Sequence, residues 1–370
     1  MILFITNIKG SAKKLKKIKK LLNHIFIDGL SGMALGLFAT LIVGTILGQI
    51  GNYIPGVIGT YVVYIATIAK SLMGAGIGVS VATKFKYSPL VTVSAGVVGF
   101  IGAFSANIVN GSFFPETGGI AIGGVGDPLC AFVAAFIAIE IGNLVSGKTK
   151  LDILLTPIVT IGVGTMVALL CGPYIAYVTT ALGELIQFAT VQHPFVMGIL
   201  ISVLMGIFLT LPISSAAIAV IIGLSGIAGG AAVVGCSAQM VGFAVMSYRE
   251  NKFGGLIAQG IGTSMIQMPN IVRKPIVWLP PIITSAILGP ISTCLLKMTC
   301  DASGAGMGTS GLVGQLVTYS SMVNAGFDPL ITVIEILVMH FIAPALITLV
   351  ISEGMRKLNI IKPGDLKLDY

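Results

Sequence analysis

The chain has 370 residues, of which 55% are hydrophobic and only 9% are charged, and its formal net charge at pH 7 is +8. The mean hydropathy of +1.03 excludes an ordinary soluble domain and indicates a protein embedded in a lipid bilayer. Its apolar runs are continuous and do not alternate with polar residues, which favours membrane-spanning helices over barrel strands.

The first 28 residues form a basic segment. Six lysines lie between residues 13 and 20, interleaved with apolar residues at helical spacing. They follow the apolar start of the chain, which is the wrong order for a cleaved signal sequence. We expect residues 1–28 to be an amphipathic cytoplasmic segment that anchors the topology or lies on anionic lipid. Nucleic-acid binding is not expected, because this cluster and the loops account for the positive charge.

Ten apolar stretches follow, separated by short loops that contain Pro, Gly or charged residues. The predicted spans are 30–50, 57–83, 88–110, 128–146, 153–181, 194–212, 214–246, 275–298, 309–324 and 328–352. The sequence therefore predicts an all-α, polytopic membrane protein with about ten transmembrane elements.

The spans divide into two halves with a common order of features. We predict membrane repeats at 29–183 and 194–353 and a cytoplasmic tail at 354–370. In each half a basic loop ending in proline opens a span, a Gly-rich break follows, and an Asp-led span closes the half. Pro89 and Pro275 are 186 residues apart, and the glycines of the two breaks share the same spacing.

Five spans in each half would invert the second repeat relative to the first and leave both termini in the cytoplasm of a cell-membrane protein. Strict inversion, however, places the cations near residues 249–252 and 273–274 outside, against the positive-inside rule. Either residues 214–246 form a re-entrant hairpin, or these cations lie near a binding cavity.

The Gly-rich breaks at 111–127 and 301–314 are the predicted solute site. Non-helical backbone at membrane depth persists only inside protein or beside a water-filled cavity. Interrupted segments at matching places in two repeats are typical of transporter binding sites. We therefore expect both breaks to be re-entrant and to face a small polar solute.

Polar residues at these breaks are the candidate substrate ligands. Carboxylates and amides accept or donate the hydrogen bonds that a sugar or polyol requires. The candidates are Asn110, Glu116, Thr117, Asp127, Gln267, Asn270, Thr309, Ser310 and Gln315. Asp127 has an alternative role as the N-cap of the span that begins at Pro128. The amides have an alternative role in holding helices together.

Other polar residues indicate structure more than chemistry. Lys70 and Glu140 each lie near the middle of a span, and an ion pair between them is the natural expectation. The five cysteines lack metal-ligand spacing and are expected to be small core residues. No catalytic or nucleotide-binding motif is present, so we expect no cofactor and no bound metal.

The stretches "NGSFFPETGGIAIGGVGDPLCAFVAAFIAIEIG" and "MPNIVRKPIVWLPPIITSAILGPI" resemble the IIC membrane subunits of the bacterial phosphotransferase system. More narrowly, they are similar to the EIIC type-2 group that includes perfringolysin-regulator-like proteins. The resemblance covers nearly all of the chain after residue 28. It implies about ten helices, a homodimer, a central sugar site with re-entrant hairpins, and a separate IIB protein that phosphorylates the sugar.

The chain departs from the glucose-type proteins of that system in one motif. Those proteins hold the sugar with a Glu-Pro pair, whereas the order here is Pro115-Glu116. We expect no fused IIB or IIA domain, because no soluble stretch is long enough, and any phosphorylation would then require a partner.

Three functions are compatible with these observations. The first is a IIC-like permease for a small polar, sugar-like solute, with the loops "KFKY" and "YRENK" docking a IIB partner. The second is a stand-alone secondary transporter of an organic acid or another small solute, helped by Arg273 and Lys274. The third is a membrane-embedded sensor or regulator of the perfringolysin-regulator type. A neighbouring gene for a IIB protein would favour the first.

Overall fold

The structure of the protein is a computed structural model that describes residue 20 and residues 22–115 and 118–368. These residues fold into helices and connecting loops, without β-strands. Six of the helices are long and apolar enough to cross a membrane. They are His24–Tyr53 (α1), Pro128–Val145 (α6), Asp152–Thr190 (α7), Gly226–Met246 (α10), Pro275–Leu296 (α13) and Pro329–Lys357 (α16).

Four further apolar helices fill the remaining predicted spans of the first half and the start of the second. Gly56–Ser71 (α2) and Met73–Lys84 (α3) form a pair bent by 54°, which makes a seventh crossing if the two are one span. Pro89–Ala103 (α4) and Pro194–Thr210 (α8) are apolar but shorter.

The all-α, multi-pass architecture is thus confirmed, but the count of ten spans is not. Predicted span 309–324 is the clearest difference, since its helix has only 12 residues. The short helices are Ser105–Val109 (α5), Ser215–Ile221 (α9), Tyr248–Ile257 (α11), Met268–Arg273 (α12), Ala302–Ala305 (α14) and Val313–Asn324 (α15).

Proline at the first helical turn begins several of these helices. Its fixed φ suits the start of a helix, where its missing N–H leaves no bond unmade. Before α4, α6 and α16 stand Ser88, Asp127 and Asp328, and each side chain accepts a hydrogen bond from a backbone N–H in the first turn. These caps explain why the boundaries predicted at Pro128 and at Asp328 lie within a residue or two of those observed.

The helices pack into two bundles. In the first, the N-terminal part of α1 packs on α3, and α3, α4, α6 and α7 pack against one another. In the second, α8, α13 and α16 pack around α10, most of whose residues are buried. Helix α7, about 58 Å long from its 39 residues, passes from the first bundle to the second. The predicted repeats 29–183 and 194–353 stay a prediction.

Close approach of helix backbones depends on glycine. A Cβ at Gly78 of α3 would lie 2.0 Å from the carbonyl oxygen of Ala95 in α4, and one at Gly99 would lie 2.1 Å from the carbonyl of Gly74. Without side chains at these positions, the two helices pack backbone to backbone.

The beginning and the end of the described chain lie at the same end of the molecule. His24 Nε2 lies 2.9 Å from Glu140 Oε1, near the end of α6, and the first turns of α1 pack against α12. Leu368, the last described residue, packs against Ala34 of α1 and Ile266. Loops 84–88 and 146–151 and the helical segment 247–274 all lie at this end, which we call the basic end because most of the described cations lie there.

Candidate functional site

A cavity of about 340 Å³ lies at the junction of the two bundles. Its walls are the C-terminal part of α1, helix α2, the end of the first Gly-rich break at 125–128, and three interrupted segments of the second half at 213–216, 263–265 and 303–313. This volume lies within the range of small-molecule sites, of which about 300 to 1,000 Å³ is typical. Both Gly-rich breaks therefore reach one cavity.

One face of α1 supplies most of the polar wall of the first half. Thr45, Gly48, Gln49 and Asn52 all line the cavity, and their spacing places them on one side of the helix. The Thr45 hydroxyl donates to the carbonyl of Leu41. The amides of Gln49 and Asn52 make no hydrogen bond with other described residues, which leaves both available to a solute.

Helix α2 contributes one cation to the cavity. Val63 and Lys70, seven residues apart on α2, both line it. The Lys70 stem lies across Gly44 of α1, where a Cβ would come within 2.8 Å of Lys70 Cγ. Lys70 makes no ion pair or hydrogen bond with the described residues.

The first Gly-rich break ends in a segment fixed to the end of α4. The backbone N–H of Asp127 donates to the carbonyl of Ala103 at 2.8 Å. Gly126 has φ +79°, and a Cβ there would lie 2.7 Å from Ala103, so only glycine fits. The Asp127 carboxylate accepts from the Cys130 N–H at 2.7 Å, capping α6. Gly126 and Pro128 line the cavity, and Asp127 stands between them.

The second Gly-rich break is a chain of tight turns. Gly308, Gly311 and Leu312 all have φ between +53° and +59°, a conformation that prevents a continuous helix. The Ser215 hydroxyl donates to the Gly306 carbonyl at 2.7 Å and ties this break to segment 213–216. From the break, Ser303, Gly306, Met307 and Ser310 line the cavity.

Of the three candidates in this break, Ser310 lines the cavity and the other two lie behind it. The Thr309 hydroxyl is buried and donates to Met240 Sδ at 3.4 Å. Gln315 is buried beside His340, with 3.1 Å between Gln315 Nε2 and His340 Nδ1. Both residues hold α10, α15 and α16 together around the break.

Gln267 and Asn270 lie outside the cavity, at the basic end. The Gln267 amide donates to Gln259 Oε1 and to the carbonyl of Leu366, and the Asn270 amide donates to Gln267 Oε1 and to the carbonyl of Lys367. Both amides therefore bind the backbone of the C-terminal tail.

The remaining candidates belong to the first break. Asn110 is exposed, and its Oδ1 accepts from the backbone N–H of Ser112 at 3.0 Å and from the Ser112 hydroxyl at 2.7 Å. Glu116 and Thr117 lie outside the described residues. Their roles in binding stay predictions.

Comparison with known proteins gives the family. A family model described as "Phosphotransferase system, EIIC" matches residues 27–368, nearly the whole chain. The chain belongs to the EIIC family of the phosphotransferase system. A comparison with curated proteins found no match. EIIC membership implies a multi-pass membrane protein that carries a small solute and works with a separate IIB partner.

Sequence reasoning missed the polar wall that α1 and α2 give to this EIIC cavity. The signal was present, because Thr45, Gln49 and Asn52 are polar at i, i+4 and i+7 in an otherwise apolar helix. The expected ion pair between Lys70 and Glu140 is wrong, since Glu140 Oε1 instead accepts from the Tyr87 hydroxyl at 2.8 Å and lies 2.9 Å from His24 Nε2.

The described residues contain no group of three or more His, Cys, Asp or Glu side chains arranged to hold a metal ion. The chemistry that this cavity offers is hydrogen bonding from amides and hydroxyls together with one ammonium group. Such a wall suits binding and release of a polar solute.

Proposed function

We propose that this EIIC chain is a permease that binds a small polar, sugar-like solute in the cavity between α1, α2 and the two Gly-rich breaks. The observation that carries the proposal is the meeting of both breaks in one cavity with amide and hydroxyl walls. Interrupted segments provide backbone and side-chain groups for a solute without exposing them to lipid.

The walls of the cavity come from both halves of the chain, which suits alternating access. We propose that the halves are diverged, inverted repeats that move against each other. Pro89 and Pro275 each begin a helix that is followed by a Gly-rich break, in support of this arrangement. The long apolar faces of α2 and α7 are the surfaces that we assign to lipid and to the second subunit of a homodimer.

The basic end is proposed to face the cytoplasm and to receive the IIB partner. Loops 84–87 and 248–252, the predicted docking loops, both lie at this end, together with the C-terminal tail. Cations next to the membrane favour the cytoplasmic side.

The test compares solute uptake into proteoliposomes by the unmodified protein and by a variant in which a bulky side chain fills the cavity. Ser303 lines the cavity and has no hydrogen-bond partner among the described residues, so Ser303→Phe places a ring where the solute should bind. The control is Val93→Phe, at a residue 69% exposed on α4. We expect Ser303→Phe to abolish binding and uptake of whichever sugar or polyol the unmodified protein carries, and Val93→Phe to preserve both. Unchanged uptake in Ser303→Phe would reject this cavity as the path.

A further inference from the structure

Lys70 is a cation in a cavity that holds no counter-ion from the described residues. It is the sole ionisable side chain among the described residues that line the cavity. The carboxylates of Glu140 and Asp127 are engaged elsewhere, since Glu140 bonds to His24 and Tyr87, and Asp127 caps α6. An ammonium group that is partly withdrawn from water without a partner is costly, and an anion in the cavity removes that cost.

Polar groups with unused hydrogen-bonding capacity face the same space. From α1 come the amides of Gln49 and Asn52, and from the second Gly-rich break come the hydroxyls of Ser303 and Ser310. The Ser310 side chain is 3% exposed and its hydroxyl has no partner among the described residues. A buried hydroxyl without a hydrogen-bond partner is unusual, and it points to a ligand that forms the missing hydrogen bond.

The placement of Lys70 is enforced by the packing of α1 on α2. The absence of a side chain at Gly44 allows the Lys70 stem to lie against α1, with its Cγ 2.8 Å from the position that a Gly44 Cβ would take. The stem is thereby held between the two helices, in a position from which Lys70 lines the cavity. The other cations named in the sequence prediction, Arg273 and Lys274, lie at the basic end, where Lys274 pairs with Asp365.

We propose that the solute of this cavity is an anionic, hydroxyl-bearing molecule of monosaccharide size, a sugar acid, and that Lys70 is its counter-ion. The carboxylate of the solute would accept from the Lys70 ammonium, and its hydroxyls would pair with the amides of α1 and the serines of the break. This inference rests on the proposed permease function and specifies its substrate class.

The test compares acid and neutral members of matched pairs on the purified full-length protein. The pairs are gluconate with glucitol, glucuronate with glucose, and galacturonate with galactose, each measured by calorimetric titration and thermal unfolding at two salt concentrations. For at least one pair we expect the acid to bind more than about tenfold tighter than its neutral partner, because charge-assisted hydrogen bonds are the strong ones. This preference should weaken as salt rises.

Variants then test whether Lys70 is the residue that causes the preference for the acid. Lys70→Met should remove the preference for the acid, and Lys70→Arg should retain most of it. Lys148→Met removes a cation from an exposed loop at the basic end and should leave the preference unchanged. If Lys70→Met does not fold, Lys70→Gln keeps a polar group of similar length for the same comparison.

Three results would overturn the inference: equal affinity for the acid and neutral members of every pair, binding of none of the acids, or an acid preference that survives in Lys70→Met. None of these would reject the permease itself, which fails only if filling the cavity with Ser303→Phe leaves uptake intact. The two proposals can therefore fail separately.

Discussion

Arg356 and Glu250 form an ion pair that is almost closed to water. Arg356 Nη2 lies 2.9 Å and 3.1 Å from the two carboxylate oxygens of Glu250, and the side chains are only 8% and 7% exposed. The same nitrogen donates to the carbonyl of Met246, so the pair joins the end of α10, the start of α11 and the last turn of α16. Arg356 also lies 3.9 Å from Glu353 Oε1 through its Nε, whereas the Glu250 carboxylate would be buried without a partner if Arg356 were removed.

Removing one member of this pair should destabilise the protein strongly. We expect Arg356→Met to lower the free energy of unfolding by about 3 to 5 kcal/mol, the usual cost of an orphaned buried charge. The measurement is thermal unfolding of the purified variant. The matched control is Arg249→Met, whose pair with Glu353 is at the surface and should contribute no more than about 1 kcal/mol.

The double variant Arg356→Met with Glu250→Leu tests the cause. If the loss comes from an orphaned carboxylate, the double variant should be more stable than Arg356→Met. A double variant that is less stable than the single one would show that packing, and not charge, accounts for the loss.

Gly44 is one of the glycines, with Gly51 and Gly59, that allow α1 and α2 to pack closely. In Gly44→Ala the new methyl would lie 2.8 Å from Lys70 Cγ, 3.0 Å from the carbonyl oxygen of Ala66 and 3.1 Å from the Lys70 backbone nitrogen. The helices must separate, at a cost of about 1 to 3 kcal/mol for overpacking. We expect a lower melting temperature and weaker solute binding, measured by thermal unfolding with and without solute.

The control for Gly44→Ala is Gly162→Ala in α7, where an added Cβ meets nothing within 4 Å. Alanine in an open helical position should stabilise the protein by up to about 1 kcal/mol, because it loses less backbone entropy than glycine. If both variants change stability in the same direction and by the same amount, the packing of α1 on α2 is not the cause.

At the scale of elements, the C-terminal tail is a segment bound through its backbone. Three side-chain amides hold it. The Asn251 amide donates to the Leu366 carbonyl and its oxygen accepts from the Leu368 N–H, while Gln267 also donates to the Leu366 carbonyl and Asn270 donates to that of Lys367. Ile361, Leu366 and Leu368 are buried. The tail thus covers segment 251–270 at the basic end.

One ion pair makes docking of the tail depend on pH. Partial burial raises the pKa of the Asp365 carboxyl, but hydrogen bonds from the Lys274 ammonium, at 2.5 Å, and from the Lys362 backbone N–H outweigh it and lower that pKa below its usual range. A group whose pKa is lower in the docked state stabilises docking at pH values above its ordinary pKa. Docking should therefore be strongest near neutral pH and weaken as the pH falls through the range between the ordinary and the lowered pKa.

The prediction is measured with a spin label at Lys367→Cys, in a background without reactive native cysteines. We expect the label to become mobile as the pH is lowered. In Asp365→Asn it should be more mobile at neutral pH and nearly insensitive to pH. A pH response that persists in Asp365→Asn would assign it to another group.

The elements were predictable where local chemistry fixes them and not where partners are distant in sequence. Proline and capping residues located the starts of α4, α6 and α16, and clustered glycines located both breaks. The amides of Gln267 and Asn270 were recognised as polar groups at a bend, but their partners, the carbonyls of residues 366 and 367, lie almost 100 residues away. Nothing in the local pattern distinguishes a sugar hydroxyl from such a carbonyl.

The residues of the cavity were likewise predictable only where local sequence identifies them. Ser310 was found because it lies in a break, whereas Lys70 was assigned to Glu140 because both lie mid-span. Which side chains pair across helices depends on how the helices are rotated and which helices are neighbours. In the folded protein Glu140 forms hydrogen bonds with His24 and Tyr87. The polar wall on α1 could have been predicted, because its polar residues recur at helical spacing along an otherwise apolar helix.

For the whole molecule, ion pairs fix the end at which the cations of segment 247–274 lie. Arg249 pairs with Glu353 near the end of α16, and Lys274 pairs with Asp365 in the tail. The cations of segment 247–274 therefore lie at the same end as both ends of the described chain, and not opposite them. Within residues 214–246, α9 has only seven residues, too few to cross a membrane, so only α10 counts as a crossing there.

This arrangement predicts which loops face the cytoplasm. With native cysteines replaced, single cysteines are introduced at Lys148 and Lys362, which lie at the basic end, and at His193 and Gly326, which lie at the opposite ends of α7 and α16 from it. Intact cells are treated with a membrane-impermeant maleimide before and after permeabilisation. We expect His193→Cys and Gly326→Cys to be labelled in intact cells, and Lys148→Cys and Lys362→Cys only after permeabilisation, because cations concentrate on the cytoplasmic side. The reverse pattern would place the basic end outside and exclude it as the docking site of a cytoplasmic IIB partner, while labelling of Lys148→Cys and Lys362→Cys from opposite sides would contradict the fold itself.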